Sequence, residues 1–299
     1  MFDVVVYLSS LPKISDRNRK VEVLRAFAAG AQRAGASVFV QTENKIVDCR
    51  LAVILGWVGA TIRGPHIQLR RTVIDHQLAN GRHVMPIDAN CFKFADPDSQ
   101  FLRYSLDGVF YNTNFYSNKN SGPQKWNQIR QQLNIELKPW RSNGNHILVC
   151  LQRDGGWSMK GTNMDMWADQ TVRKLRQLTN RPIVLRPHPK HKMNLNNLIK
   201  LPNVTQSTLG RTLQQDLTNA WASVFYNSSS SVASVLAGVP VFAGDDDCAA
   251  WDVANHDILQ IETPATPERE QWLYDLCAAH WTDQESNNGE IYQKFLPNI

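Results

Sequence analysis

The sequence predicts an α/β protein built from two domains. Short apolar, β-branched runs that end in polar loops alternate with helical periodicity, first from residue 2 and again from residue 146. That order of strand, loop and helix is typical of βαβ units around a largely parallel sheet. A chain of 299 residues is also long for one core and typical of two domains.

A change in composition separates the two predicted domains. Residues 116–144 are rich in Asn, Ser, Gly, Gln and Lys, which is typical of a linker, with one short helical piece predicted near residues 126–133. We therefore predict one Rossmann-like domain over residues 1–115 and a second over residues 145–299, whose last segment is able to pack back on the first. Two such domains that face each other would form a ligand cleft between them.

Composition favours a soluble globular protein with an anionic partner. The chain is 42% hydrophobic and 20% charged, with no apolar run near the roughly 20 residues that span a bilayer. Its net charge of +5 favours an anionic partner such as a nucleic acid or a nucleotide, although many proteins without such a partner share a charge of this size. The five cysteines are an odd number without CxxC spacing, so we predict reduced, buried thiols, a cytoplasmic location, no metal site and no membrane partner. The N-terminus has no basic segment and is predicted to be the first strand.

In the first domain, three strands end in polar loops before a helix. We predict strands over 2–8, 36–41, 51–55 and 84–87, a short one over 108–111, and helices from about residue 21 and over 67–78. Carboxyl ends of parallel strands meet at one edge of a sheet, where an acceptor molecule can bind. The predicted acceptor residues in these loops are Arg17, Arg19, Lys20, Trp57, Arg63 and His66, with Asp16 and Asp88 as carboxylates.

In the second domain, the segment Arg186-Pro187-His188-Pro189 follows the buried strand 183–185. Neither proline can donate a hydrogen bond to a sheet, and each holds the preceding residue in an extended conformation. The guanidinium and the imidazole are therefore held at the carboxyl end of a strand, which suits a phosphate or diphosphate. The alternative is a proline-rich loop with two solvated cations.

Two further loops of this domain favour a phosphate ligand. The first, which follows the predicted strand 146–151, contains Arg153, Lys160 and several glycines, but neither a dinucleotide fingerprint nor a P-loop. The second is Asn227 followed by Ser228, Ser229, Ser230 and Ser231, before an apolar helix. Hydroxyls and backbone N–H groups at a helix start bind phosphate oxygens, although plain N-capping needs only one serine.

The remaining elements of the second domain are predicted from periodicity. We expect a helix along the stripe 167–178, helices over 213–221, 232–236 and 267–280, a helical tail, and strands over 223–226 and 239–242. The acidic run 245–247 is predicted to be a solvated loop, because three consecutive residues are not expected to face one ion.

The ordered motifs resemble a known family. A strand that ends in RPHP, followed by a strand, a serine-rich turn, a helix and Gly-Val-Pro, resembles the donor-binding half of GT-B glycosyltransferases. The nearest motifs are those of bacterial sialyl- and Kdo-type transferases, over residues 145–257. The resemblance implies that His188 and Pro189 border the donor nucleotide and that Ser228–Ser231 hold its phosphate.

The whole chain is also similar to short bacteriophage glycosyltransferase-like proteins. The stretches that carry this resemblance are 16–20, 156–159 and 186–189. It implies sugar transfer, from a UDP-sugar rather than a CMP-sugar, to 5-hydroxymethylcytosine in double-stranded DNA within the host cytoplasm. We expect the reaction to need no cofactor, because many cations are predicted at the site. The alternatives are transfer to a surface glycan or a protein, a nucleotide-sugar epimerase, and a non-catalytic nucleic-acid or nucleotide binder of the same fold.

The acidic motif that supplies the catalytic base in the sialyl and Kdo relatives is absent from this sequence. We therefore take the base from the first domain. Asp88 is the first choice because it ends a buried strand, and Asp16 is the second. Inverting transfer needs no covalent intermediate.

Overall fold

The computed structural model describes residues 1–12, 18–58, 64–109, 119–154, 157–189 and 193–299. These residues form two compact units. The first contains residues 1–90, 98–121 and 275–299, and the second contains residues 91–97 and 122–274. The stretch 116–144, predicted to be a linker, contains helix α3 (Gln124–Leu133).

The first unit is organised around a six-stranded sheet with the order β11-β5-β4-β3-β1-β2. Strands β1 to β4 are parallel, whereas β5 and β11 form antiparallel pairs at one side. Val4, Val5 and Val6 at the centre of β1 are completely buried, as expected for a parallel strand covered on both faces. The strands are β1 (Phe2–Tyr7), β2 (Val38–Gln41), β3 (Cys49–Leu55), β4 (His83–Ala89), β5 (Phe101–Tyr104) and β11 (His280–Thr282).

Helices cover this sheet, and two of them come from the C-terminal segment. Helices α8 and α9 pack on α1, where Gly30 leaves room for the backbone of Ser286 and Gly289. Because that approach is backbone to backbone, any side chain at residue 30 would obstruct it. The helices of this unit are α1 (Arg19–Arg33), α2 (Pro65–Ala79), α8 (Asp283–Asn288) and α9 (Glu290–Phe295).

The second unit contains a fully parallel five-stranded sheet with the order β10-β9-β6-β7-β8. The chain moves outward from β6 in one direction through β7 and β8, and in the other through β9 and β10. The switch point, where an α/β sheet binds its ligand, therefore lies at the carboxyl ends of β6 and β9. The elements are β6 (His146–Cys150), α4 (Met164–Leu178), β7 (Ile183–Arg186), β8 (Val204–Gln206), α5 (Leu213–Leu217), β9 (Ala220–Phe225), α6 (Ser231–Leu236) and β10 (Val241–Ala243). Helix α7 (Glu270–Ala278) contains the boundary between the two units, at residues 274 and 275.

The prediction of an α/β protein with two largely parallel sheets is confirmed. One predicted strand is wrong: Gly108 and Val109 lie in a loop, residues 110 and 111 lie outside the described residues, and the strand is β5 at Phe101–Tyr104. Two strands of three residues, β8 and β11, were not predicted. Their sequences are too short to show a period, and pairing with a neighbouring strand defines them.

Candidate functional site

At the switch point of the five-stranded sheet, two residues with amide side chains are joined by two hydrogen bonds. Gln152 follows β6 and Asn227 follows β9. The Nε2 of Gln152 donates to Oδ1 of Asn227 at 2.9 Å, and the backbone N–H of Asn227 donates to Oε1 of Gln152 at 2.8 Å. Both residues are buried. A buried amide needs all of its hydrogen bonds satisfied, so this pair fixes the two loops relative to each other.

The amide of Asn227 extends the network to the next two loops. Its Nδ2 donates to the carbonyl of Ser158 at 2.7 Å and to Oδ1 of Asp245 at 3.1 Å. The hydroxyl of Tyr226 donates to Oδ2 of Asp245 at 3.3 Å and lies 2.8 Å from Oγ1 of Thr162. The loops after β6, β9 and β10 therefore form one hydrogen-bonded platform at the carboxyl edge.

Lys160 is held inside this platform by carboxylates. Its backbone is left-handed, with φ of 49°, and its Nζ lies 3.3 Å from Asp245, 3.5 Å from Asp246 and in contact with Asp247. Although burial alone would lower the pKa of Lys160, its hydrogen bond to Asp247 and the charge of Asp245 raise it. The ammonium group is therefore firmly charged, but three carboxylates already offset that charge.

The acidic run 245–247 was predicted to be a solvated loop, and this prediction is corrected by the structure. The three consecutive carboxylates Asp245, Asp246 and Asp247 do converge, with ligand atoms within 4.8 Å of one another. The side chain of Asp247 is nearly fully buried, and burial raises its pKa. The group that these carboxylates surround is the ammonium of Lys160. A loop that reverses direction brings them together, so consecutive residues are not restricted to opposite faces.

The four serines of the predicted phosphate site differ in how far they are buried. The hydroxyls of Ser228 and Ser230 lie 2.6 Å apart and are half-buried, and Ser229 is exposed. Ser231 is completely buried, and its hydroxyl accepts a hydrogen bond from the thiol of Cys248 at 3.3 Å. A phosphate would therefore meet the first three serines before the fourth.

Arg186 is anchored by a carboxylate that the sequence analysis did not identify. Asp216 has a nearly fully buried side chain and accepts hydrogen bonds from Arg186, from Nε of Arg211 at 2.8 Å and from the hydroxyl of Ser207 at 2.6 Å. Burial alone would raise the pKa of Asp216, but these three donors hold it below its usual value. Two guanidiniums thus share one buried carboxylate at the ends of β7 and β8. An Asp within a short helix gives no sequence pattern that would identify it.

The other predicted donor residues lie near this edge. Arg153 is exposed beside Gln152, His188 is half-buried and Pro189 is exposed. A cavity of about 270 Å³ opens beside Gly244 at the end of β10 and is lined in part by Trp167. A larger cavity of about 740 Å³ is lined in part by residues of α5 and α6, and none of the predicted donor residues lines it.

The carboxyl edge of the six-stranded sheet carries the predicted base. Asp88 lies near the end of β4, where its Oδ2 accepts from Arg103 at 3.0 Å and its Oδ1 accepts from the N–H of Ala89 at 2.8 Å. Arg103 pairs with Asp88 in the strand register and is buried. This arrangement positions the carboxylate rigidly.

Among the described residues, the basic side chains of Arg70, His66 and Lys20 also lie at that edge. Nη1 of Arg70 donates to the carbonyl of Leu55 at 2.9 Å. Burial lowers the pKa of Arg70, and the charge of Asp88 partly offsets this. Burial also lowers the pKa of His66, with further contributions from Arg70 and Lys20. Arg70 and Lys20 are therefore both close enough to His66 to disfavour its protonated form.

The remaining predicted acceptor residues differ in their surroundings. Arg19 forms an ion pair with Asp283. Trp57 is half-buried and packs against the core beneath β1 and β3. Asp16, Arg17 and Arg63 lie outside the described residues.

Comparison with known proteins gives matches of structure alone. No family model matches the sequence, and no curated protein matches it. The solved β-Kdo 2,7 transferase KpsC of Thermosulfurimonas dismutans aligns over 98% of this chain and 99% of its own, with a TM-score of 0.56 and 13% identity. The β-Kdo 2,4 transferase KpsC of the same organism aligns over 94% of this chain and 92% of its own, with a TM-score of 0.59 and 12% identity.

The class that these observations define is a two-sheet α/β protein with a fold similar to that of Kdo glycosyltransferases. At 12–13% identity, the likeness concerns the fold. In the part of the chain that the structure describes, no helix is long and apolar enough to cross a membrane.

Proposed function

We propose that this protein is a glycosyltransferase that moves a sugar from a nucleotide sugar to a hydroxyl group of a glycan. The observation that carries the proposal is the buried pair Gln152–Asn227 at the switch point of the five-stranded sheet, in a fold similar to two Kdo transferases. A hydrogen-bonded polar platform at that point supports donor binding there. We also propose the GT-B arrangement, in which the donor binds to one domain and the acceptor binds to the other.

The proposed reaction is a direct, inverting displacement. The acceptor oxygen forms a bond to the anomeric carbon while the bond from that carbon to the phosphate oxygen breaks, and the phosphate leaves with the electron pair. A base on the first unit takes the hydroxyl proton, with Asp88 as our first choice and Asp16 as the second. We further propose that the donor is a UDP-sugar and that the reaction requires no cofactor.

The leaving phosphate needs fixed positive charge and hydrogen-bond donors. Arg186, oriented by Asp216, together with Ser228 and Ser230, supports that role. Lys160 contributes less net charge than the sequence suggested, because Asp245 and Asp247 surround it. In our proposal, Lys160 orients the loop after β6, while Arg186, Arg153 and His188 face the phosphate.

The test is a transfer assay with UDP- and CMP-sugars and bacterial surface polysaccharides as acceptors. We expect nucleotide release that depends on the acceptor, with a matching mass gain on the glycan. Asn227→Ala should lower kcat/KM about tenfold or more, because it removes the hydrogen bonds that hold the loops. Gln170→Ala, on the exposed face of α4, is the control and should leave the rate unchanged.

Duplex DNA that contains 5-hydroxymethylcytosine is the second acceptor to test, and the net charge of +5 favours it. A mass gain on the modified nucleoside, without one on any glycan, would move the acceptor from glycan to DNA. Nucleotide binding without release in the presence of any acceptor would replace transfer by a binding function. Turnover of the nucleotide sugar that no acceptor changes would point to an epimerase.

A further inference from the structure

We propose that the largest cavity described in the second unit binds a carboxylate with a short aliphatic chain, through the guanidinium of Arg141. The cavity has a volume of about 740 Å³. No described residue of the proposed donor or acceptor sites lines it. The inferred site is therefore separate from the proposed transfer reaction and does not depend on it.

The walls of the cavity are largely aliphatic. They come from residues 94–95, from the segment 133–141 and from helices α5 and α6, all within the second unit. Leu133, Leu217 and Leu236 line the cavity, and each is at most 9% exposed. The volume lies within the range of about 300–1,000 Å³ that is usual for ligand pockets. An aliphatic chain would be stabilised by leaving water for such walls.

Backbone groups hold Arg141 at the wall of this cavity. Its N–H donates to the carbonyl of Gly238 at 2.7 Å, and its Nη1 donates to the carbonyls of Leu217 at 2.9 Å and Ala220 at 3.2 Å. Gly238 has a φ of +72°, and a Cβ there would clash with the carbonyl oxygen of Pro139. The close approach of the two segments therefore requires a glycine. The guanidinium is fixed by partners that carry no charge.

The guanidinium of Arg141 retains donors for an anion. Within the described part of the chain, it forms no ion pair, and its Nε and Nη2 make no hydrogen bond. These two N–H groups lie on the same side of a guanidinium, where they bind both oxygens of one carboxylate. Burial lowers the pKa of Arg141, so a bound anion would stabilise its charged form.

The charge of the cavity favours a monoanion. The described lining contains two cations, Lys138 and Arg141, and one carboxylate, Glu136, which gives a net charge of +1. Lys138 and Glu136 lie 3.3 Å apart, so Arg141 carries the charge that is not offset. A carboxylate brings one negative charge, whereas a phosphate monoester brings about 1.5–2 at neutral pH. We therefore favour a carboxylate as the head group.

Calorimetric titration with three probes tests this ligand class. Octanoate carries both the carboxylate and the chain, acetate carries the carboxylate alone, and 1-octanol carries the chain alone. We expect octanoate to bind at one site per chain, and the other two to bind about tenfold or more weakly. Equal affinity for octanoate and 1-octanol would overturn the role of Arg141. Equal affinity for octanoate and acetate would overturn the role of the aliphatic walls.

Two variants of the lining separate a specific site from general charge. Arg141→Gln should weaken octanoate binding about tenfold or more, because it removes the paired donors and the charge. Lys138→Gln, which removes an exposed cation from the same lining, should change the affinity less than about threefold. Arg141→Lys keeps the charge without the planar fork and should retain part of the affinity. Equal losses in Arg141→Gln and Lys138→Gln would overturn the proposal.

A third variant tests the cavity without altering its charge. Ala237 lines the cavity and is half-buried, so Ala237→Leu should narrow the space for the chain. We expect it to weaken octanoate binding and to leave acetate binding unchanged. Thermal unfolding checks that each variant is folded, and this variant keeps the test decisive if Arg141→Gln does not fold. Unchanged octanoate affinity in Ala237→Leu would place the ligand elsewhere and overturn the proposal.

Hydrogen exchange locates the ligand in the wild-type protein. Octanoate should protect amides within residues 133–141 and 214–218, and should leave residues 227–231 of the donor platform unchanged. Protection confined to 227–231 would overturn the proposal. Octyl phosphate should bind more weakly than octanoate, and tenfold tighter binding would replace the carboxylate by a phosphate head group. Because the site is separate from the donor platform, failure of every transfer assay would leave these expectations unchanged.

Discussion

Gln152 and Asn227 exchange two hydrogen bonds across the switch point of the five-stranded sheet. Each residue follows a buried strand, and each side chain satisfies a polar group of the other. The pair therefore holds together the loops after β6 and β9, which both border the proposed donor position. Its contribution to stability and to donor binding can be measured separately.

Removing both members of the pair should cost less stability than the two single removals added together. Asn227→Ala leaves the buried Nε2 of Gln152 without its acceptor, although Oε1 of Gln152 keeps its bond from the backbone N–H of residue 227. We expect a loss of about 1–3 kcal/mol in the free energy of unfolding. The double variant Gln152→Ala/Asn227→Ala should lose less than the sum of the single variants. Urea denaturation of the wild type, the two single variants and the double variant measures this coupling. Strictly additive losses would show that the two side chains do not stabilise each other.

Much of the fold could be predicted because apolar periodicity is local. The strands that form the centres of both sheets have continuous buried runs, such as Val4–Val6 and Ile147–Val149. Strands β8 and β11 were missed, since three residues carry no period and a partner strand defines them. The grouping of residues 275–299 with the first unit likewise depends on long-range pairing between β11 and β5.

The candidate site could be predicted only in part, because a residue pattern gives position along a strand but not partners. The position of Arg186 at the end of β7 followed from its prolines. The carboxylate of Asp216 that engages it lies 30 positions away and could not be inferred. In the same way, a lysine in a glycine-rich loop gave no indication that Lys160 would point into Asp245 and Asp247.

Asp216→Asn should be strongly destabilising, with a characteristic pH dependence. It leaves Arg186 and Arg211 facing a neutral amide, and we expect a loss of about 3–5 kcal/mol near neutral pH. Because the pKa of Asp216 lies below its usual 3.8 in the folded protein, the stability from its ionised form is present above pH 3.8 and is lost as the pH falls through the folded value. The difference between wild type and Asp216→Asn should therefore shrink in acid.

Urea denaturation between pH 7 and pH 3 measures this difference. The control is Asp169→Asn, which removes an exposed carboxylate that pairs with Arg173 on helix α4. It should change stability very little. A difference between wild type and Asp216→Asn that does not depend on pH would show that Asp216 contributes through packing alone.

Gly30→Ala should disrupt the packing of the C-terminal helices on α1. A Cβ at residue 30 would clash with the carbonyl oxygen of Ser286 and lie 2.9 Å from the backbone N of Gly289. Since neither backbone atom can rotate away, we expect a loss of about 1–3 kcal/mol. Thermal unfolding measures it, and Ala29→Ser on the half-buried side of the same helix should stay within about 0.5 kcal/mol of wild type. Equal melting temperatures for Gly30→Ala and wild type would contradict this packing.

Lys160→Met should leave three carboxylates close together without their cation. We expect a loss of about 1–3 kcal/mol, less than for a fully buried pair, because the Lys160 side chain is 37% exposed. Since the pKa of Lys160 is raised in the folded protein, its contribution is complete below pH 10.5 and is lost as the pH rises through the folded value. The difference between wild type and Lys160→Met should therefore be constant from pH 7 to pH 9.

A second substitution tests whether repulsion among the carboxylates causes that loss. Asp247→Asn in the Lys160→Met background removes the most buried of the three charges, and we expect it to restore at least half of the lost stability. Asp246→Asn removes a more exposed charge from the same loop and should restore less. Chemical denaturation at pH 7 compares the two double variants. If neither of them recovered stability, Lys160 would stabilise the protein through contacts of its side chain and not by offsetting the three carboxylates.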